Sequence, residues 1–170
     1  MKPESDRPSS FDSFEYAMQR MARRLSSRRA MRESIIARLL QHVSQKLGDY
    51  MDAPFKEHGL NTTLWTSMVV IYASPGHRLK PSELSIFMNS SRTNSTRVAR
   101  ELQRQGLVER IADEHDGRQW FLELTGKGAA FVEGTMPSRR AHVKQALDGF
   151  DAAELDELER LLRKLLHTLD

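Results

Sequence analysis

The chain has 170 residues, with 26 Lys and Arg against 23 Asp and Glu, a formal net charge of +3 and no cysteine, which suits one domain with helical extensions. Disulfides, thiolate chemistry and cysteine-ligated zinc are excluded, and the longest strictly apolar run, Met68 to Ala73, has six residues, far short of the ~20 that span a bilayer. The charge is segregated rather than large: Arg20 to Arg32 holds six arginines and no acid, whereas Asp148 to Asp170 holds seven acids and three bases.

Residues 1–10, MKPESDRPSS, carry two prolines and no apolar periodicity, so a disordered tail is expected. The N-terminus has no apolar h-region, and its arginines are accompanied by Glu4, Asp6, Asp12 and Glu15. That argues against a targeting peptide, and a cytoplasmic location is expected. Phe14, Met18, Met21 and Leu25 then recur at helical spacing and predict a short helix over 11–25. The six arginines around the polar link at Ser26 to Arg29 are expected in water rather than on phosphates.

A long helix is predicted from Ala30 to Phe55, with Ile35, Leu39, Val43, Leu47 and Tyr50 on one stripe and Ile36, Leu40 and Met51 widening it. Asn61 or Thr62 suits the N-cap of a next helix over Thr63 to Ala73, which ends at Ser74-Pro75-Gly76. His77 to Lys80 reads as a short extended segment.

The centre of the chain is Pro81 to Thr125. Pro81 suits a first helical position, and Leu84, Phe87 and Met88 recur at i, i+3 and i+4. After the turn at Asn89-Ser90 comes a polar helix, Ser91 to Gln105, stopped by Gly106. On it Ser91, Ser95, Val98 and Leu102 share one side, and Thr93, Thr96, Arg97, Arg100 and Arg104 project from the other. Four arginines face a single acid, Glu101. Two short helices with a tight turn, the second amphipathic and basic, are the helix-turn-helix arrangement, whose second helix enters the DNA major groove. The competing interpretation is a solvated surface helix, which would have no need of its neighbours. Those neighbours are two β-rich runs, Leu107 to Ile111 and Gln119 to Leu124, with turn chemistry at Asp116-Gly117 between them. They predict a wing, beside which His77 to Lys80 is placed to add a third strand.

Thr125 suits the N-cap of a following helix, and its TGKG lacks the spacing of a phosphate loop. The last helix is marked by Phe150 at N′, Asp151 at the N-cap, Glu154 at N3 and Leu155 at N4, a capping box with a hydrophobic staple. Leu155, Leu158, Leu162, Leu165 and Leu169 form a heptad-like seam that Leu161 and Leu166 broaden. Packing within one subunit would account for the seam, but a winged helix has its own core. Apolar helices on both of its flanks therefore predict a two-fold homodimer.

At these residues the chain resembles the MarR family of winged-helix regulators, and within it the EmrR (MprA) group that represses multidrug efflux genes. The shared text is PSELS at Pro81 to Ser85, SSRTNSTRVARELQRQGLVER at Ser90 to Arg110, D-x-R at Asp116 to Arg118, and LT-x-x-G at Leu124 to Gly128. The resemblance implies a dimer whose recognition helices enter successive major grooves while the wings reach the adjacent minor groove. Carried onto this sequence, Thr93, Asn94, Thr96 and Arg97 become base-edge candidates, and Ser90, Arg92 and Arg100 phosphate contacts. Arg118 becomes the minor-groove residue, oriented by Asp116 unless that pair only closes the hairpin. The resemblance also implies a small aromatic or phenolic effector. Arg38 and His42, one turn apart, with Trp65 and Met68 on the next helix, are its candidate site, although core packing is the favoured account of Trp65 and Met68.

The expected fold class is thus mainly α with a small β wing: a winged helix-turn-helix at 61–128, flanked by dimerisation helices at 11–60 and 129–170. Double-stranded DNA and a second copy of the chain are the expected partners, without membrane, cofactor or metal. No G-x-S-x-G, H-E-x-x-H or dinucleotide motif appears, and the six histidines lack ligand spacing, so an enzyme is not expected. The alternative function is a winged-helix protein-interaction module that does not bind DNA.

Overall fold

The computed structural model describes residues 9–25, 28–112 and 119–170. The tail expected at 1–10 therefore lies almost wholly outside the described residues, as do the centre of the link at Ser26-Ser27 and the Asp116-Gly117 turn. The chain forms two compact units that divide between Tyr50 and Met51.

The first unit holds α1 (Asp12–Leu25) and most of α2 (Arg28–Asp52). Ser9 leads into α1 by donating its N–H and hydroxyl to the two Asp12 carboxylate oxygens, at 2.9 and 2.6 Å. Phe11 is buried, with its ring 5.3 Å from Phe14 and 5.7 Å from His42. Much of the α2 stripe is uncovered, since Ile36, Leu39, Leu40, Val43 and Leu47 are exposed. The predicted end of α2 at Phe55 moves back to Asp52, because Pro54 has no N–H to donate and disfavours helical backbone before it. A 3-10 turn, Ala53–His58, follows and closes at Gly59, whose φ of 64° is in the left-handed region.

The second unit contains α3 (Thr62–Ala73), β1 (Arg78–Leu79), α4 (Pro81–Phe87), α5 (Arg92–Arg104), β2 (Val108–Ala112), β3 (Trp120–Leu124), α6 (Gly126–Ala146) and α7 (Ala152–Leu169). The Asn61 carboxamide accepts the Leu64 N–H at 2.9 Å and starts α3. The sheet is antiparallel in the order β1-β3-β2, with Arg78 opposite Glu123, and Val108 opposite Leu124. The extended segment before α4 thus joins the wing as its third strand.

Alternation along the strands sends Leu79, Val108, Leu122 and Leu124 into the core, where they meet Met68 and Ile71 of α3, Leu84 of α4, Val98 and Leu102 of α5 and Val132 of α6. Full burial of each such side chain contributes roughly 1.5–3 kcal/mol. Apolar spacing along α4 does not by itself set which residues are covered. Leu84 is fully buried and Met88 half-buried, but Phe87 is 67% exposed and its neighbour Ile86 79%. In a helix of only seven residues, one side meets α3 and α5, and Phe87 falls off that side.

The β3–α6 corner explains the LT-x-x-G run. The Thr125 hydroxyl donates to the Gly106 carbonyl at 2.8 Å and accepts the Gly128 N–H at 3.0 Å. This draws α6 onto the backbone of Leu107, so closely that a Cβ at Gly128 would lie 2.1 Å from the Leu107 carbonyl oxygen. At the other end, the Asp151 carboxylate accepts the Glu154 N–H while the Glu154 carboxylate accepts the Asp151 N–H, both at 2.9 Å, which is the expected capping box of α7. Leu155 on α7 is half-buried, whereas Leu158, Leu161, Leu162, Leu165, Leu166 and Leu169 are exposed.

Candidate nucleic-acid interface

The outward face of α5 depends on how its inward face is built. Ser95, 2% exposed, together with Val98, Ala99 and Leu102 forms the buried strip. The small Ser95 side chain lets the turn come close, and its hydroxyl lies 3.1 Å from that of Ser90. The turn itself bends at Asn89, whose φ of 43° is one that Asn adopts more readily than most residues. The Ser91 hydroxyl then caps α5 by accepting the Asn94 N–H at 3.2 Å.

With this strip buried, Arg92, Thr93, Thr96, Arg97 and Arg100 are exposed and Asn94 is half-buried. The exposed Thr96 donates its hydroxyl to the Arg92 carbonyl at 2.9 Å, one turn back on the helix. Arg97 Nη2 donates to Asn94 Oδ1 at 3.1 Å, which fixes the two side chains against each other. Arg104 is already engaged: its Nε and Nη2 donate to the two Glu101 oxygens at 3.0 and 2.6 Å, and Gln105 donates to the same carboxylate at 2.7 Å. The Arg104 hydrogen bond, followed by that from Gln105, holds the Glu101 carboxyl at about 2. The single acid of α5 is thereby paired with its last arginine. Arg92, Arg97 and Arg100 keep their guanidinium groups outward, and Arg92, in the first turn, adds to the positive end of the helix dipole. At a rise of about 1.5 Å per residue these arginines span ~12 Å, close to the width of a B-DNA major groove.

Asp116 and Arg118, the wing candidates, lie outside the described residues. Among the described residues, β2 and β3 pair as far as Ala112↔Trp120. Cations line these strands: Arg110 lies 3.7 Å from the Trp120 ring centroid, and Arg78 and Lys80 lie 5.1 and 5.4 Å from that of Phe121.

The effector candidates divide between the two units. In the first unit the Arg38 guanidinium lies over Phe14 at 5.6 Å, and His42 Nε2 is 2.6 Å from the Ser10 hydroxyl. In the second unit Met68 is fully buried, and Trp65 stacks on Phe55 at 5.6 Å and donates its indole N–H to the Thr135 hydroxyl at 2.9 Å. Both therefore serve the core of that unit. Sequence reasoning missed Arg139, whose guanidinium donates to the Met51 carbonyl at 2.8 Å and lies 5.4 and 5.3 Å from the Phe55 and Trp65 rings. Burial lowers its pKa, against a smaller opposing pull from Asp52. These partners are too far away along the chain for any local pattern to have linked them. Among the described residues no group of three or more His, Asp or Glu is placed to hold a metal ion, and no helix is long and apolar enough to cross a membrane.

Comparison with known proteins bears on this geometry. A family model described as the MarR family matches residues 60–120. The transcriptional repressor MprA of Escherichia coli is 36% identical over 138 residues, covering 81% of this chain and 78% of that protein. The HTH-type transcriptional repressor YetL of Bacillus subtilis is 26% identical over 127 residues, covering 75% of this chain and 76% of its own. Among solved structures, Sco3205, a MarR family transcriptional regulator from Streptomyces coelicolor in complex with DNA, superposes with a TM-score of 0.76 at 23% identity, covering 82% of this chain and 88% of that one. The S. aureus MepR–DNA complex gives a TM-score of 0.72 at 17% identity, covering 78% and 96%. At those identities the two structures speak to the fold.

Proposed function

The chain belongs to the MarR family, and from that premise we propose that it is a cytoplasmic, sequence-specific transcriptional repressor that binds double-stranded DNA as a homodimer. The observation that carries this is the outward face of α5, where Arg92, Thr93, Asn94, Thr96, Arg97 and Arg100 are presented on a helix whose only acid is paired elsewhere. Thr93, Asn94, Thr96 and Arg97 read base edges; Ser90, Arg92 and Arg100 hold phosphates. Arg118, oriented by Asp116, enters the minor groove.

The homodimer draws support from the exposed leucines of α7 and the exposed stripe of α2, which are costly to leave in water. Leu155, Leu158, Leu162, Leu165 and Leu169 form its seam. Two-fold symmetry then calls for a pseudo-palindromic operator with half-sites ~34 Å apart. A small aromatic or phenolic effector releases the DNA by binding better to a state whose recognition helices are wrongly spaced; Arg38, His42, Trp65 and Met68 are the residues proposed to respond to it. Thermal-shift and gel-shift assays with phenolic acids test that part, and indifference in both removes it.

The DNA assignment is tested with the duplex upstream of the protein's own gene, in a salt titration beside random duplex of equal length. Tight, salt-dependent binding that survives random competitor and drops in Arg97→Ala and Arg118→Ala is expected. Equal retardation of both duplexes at moderate salt refutes it. The exposed pair Ile86 and Phe87 on α4 favours a second possibility, a protein-binding winged helix. Arg97→Glu separates the two, because charge reversal abolishes DNA binding and spares a protein contact made through α4.

A further inference from the structure

A duplex read by α5 in a major groove and by the β2–β3 loop in the neighbouring minor groove presents one sugar-phosphate strand between those grooves. In this chain the wing sheet leads into the helix-turn-helix between β1 and α4. Lys80 is the residue at this junction. It follows β1 directly and stands at the N-cap of α4, which packs on α5.

Its side chain is held against the sheet. Its ammonium donates to Gln119 Oε1, at the entry to β3, and lies 5.4 Å from the centroid of the half-buried Phe121 ring. Its backbone is held as well, since the Lys80 N–H donates to Glu83 Oε2 at 2.7 Å. Arg78 shares the Phe121 ring at 5.1 Å but sits opposite Glu123 in the sheet register. Lys80 is the nearer of the two to the β2–β3 loop. A lysine normally gives up considerable rotamer freedom to hold an anion; here an aromatic ring along its stem and a carboxamide at its tip have already restricted it.

We propose that Lys80 is a further DNA contact, its ammonium seated by Gln119 and Phe121 to neutralise one phosphate of the strand that passes between the two grooves. This rests on the DNA-binding function proposed above. The experiment uses the full chain, with the duplex upstream of its own gene and a shuffled duplex as probes, in fluorescence anisotropy titrations from about 50 to 200 mM salt. Lys80→Gln weakens binding to both duplexes by a common factor and flattens the log K against log salt slope by about 0.9, the loss of one phosphate contact. Lys80→Arg retains the slope. Lys144→Gln, an exposed lysine in the last turn of α6, leaves it unchanged, and Arg97→Ala reduces discrimination between the duplexes.

Melting curves that coincide with the wild type establish that the variants fold. An unchanged slope in Lys80→Gln overturns the assignment, as does a loss confined to the upstream duplex. An equal flattening in Lys144→Gln overturns it too, because the effect would then belong to the overall field. A wild-type chain that binds neither duplex removes the DNA function, and the Lys80 contact with it.

Discussion

Gly128→Ala tests the geometry of the β3–α6 corner most directly. A Cβ built there meets the Leu107 carbonyl oxygen at 2.1 Å, the Leu124 Cδ2 at 2.9 Å and the Leu107 carbonyl carbon at 3.0 Å. Ordinary C···O contacts lie near 3.3–3.6 Å, so α6 or the start of β2 must retreat by roughly 1 Å. The Leu107 carbonyl cannot swing aside freely, because it accepts the Thr125 N–H at 3.2 Å while the Leu107 N–H donates to Leu102 at 3.0 Å. Overpacking of this kind costs about 3 kcal/mol. Ala gains back up to ~1 kcal/mol through helix propensity and a less entropic unfolded chain. The net expectation is a loss of about 2 kcal/mol, or a melting temperature lower by roughly 4–8 °C. Gly126→Ala is the matched control: it lies in the same first turn, and its Cβ would meet nothing within 4 Å. Thermal denaturation followed by circular dichroism reads both variants. If Gly128→Ala melts with the wild type or with Gly126→Ala, the close approach of α6 to Leu107 does not exist and the account of the LT-x-x-G run fails.

Two further expectations concern charge and association. Leu162 is 43% exposed in the single chain, so Leu162→Glu is expected to leave the fold intact and convert a dimer to a monomer in sedimentation equilibrium; an unaltered dimer removes α7 from the interface. Glu101 has its pKa lowered from the ordinary 4.5 to about 2, by hydrogen bonds from Arg104 first and Gln105 second. A depressed carboxylate stabilises the fold above its unfolded value, and this contribution disappears as pH falls from about 4.5 towards 2. Because the pair is solvent-exposed, salt screens its effect on stability. In Arg104→Gln the NMR titration midpoint of Glu101 is expected to rise towards the ordinary value, and a midpoint that does not move refutes the assigned cause.

Much of this architecture was legible in the sequence because the signals that start and stop helices act over four residues or fewer. Asn61, Thr125 and Asp151 each cap a following helix, and Pro81 starts α4. The period-3.6 arrangement of α5 separated Ser95, Val98 and Leu102 from Thr93, Arg97 and Arg100 without reference to anything else in the chain. The same locality marked two strands around a turn, and the resemblance to the MarR family rested on that contiguous text. Contacts between distant residues were not legible. Leu84 and Phe87 share the helical spacing that marked α4, and only the packing of a seven-residue helix between its neighbours decides which of the two is covered. Trp65 read as a candidate for effector contact, yet its ring lies against Phe55 and Arg139, and its indole N–H is satisfied by Thr135. The glycine of the LT-x-x-G run stood out as text, whereas the reason for it, a carbonyl 2.1 Å from where a Cβ would sit, belongs to another segment. The sequence by itself determined which segments become helix or strand and which face of α5 carries the charge, since those follow from backbone caps and side-chain period. The tertiary structure alone decided which apolar residues are covered and which cations are already paired, because burial and pairing depend on neighbours that folding brings together from remote parts of the chain.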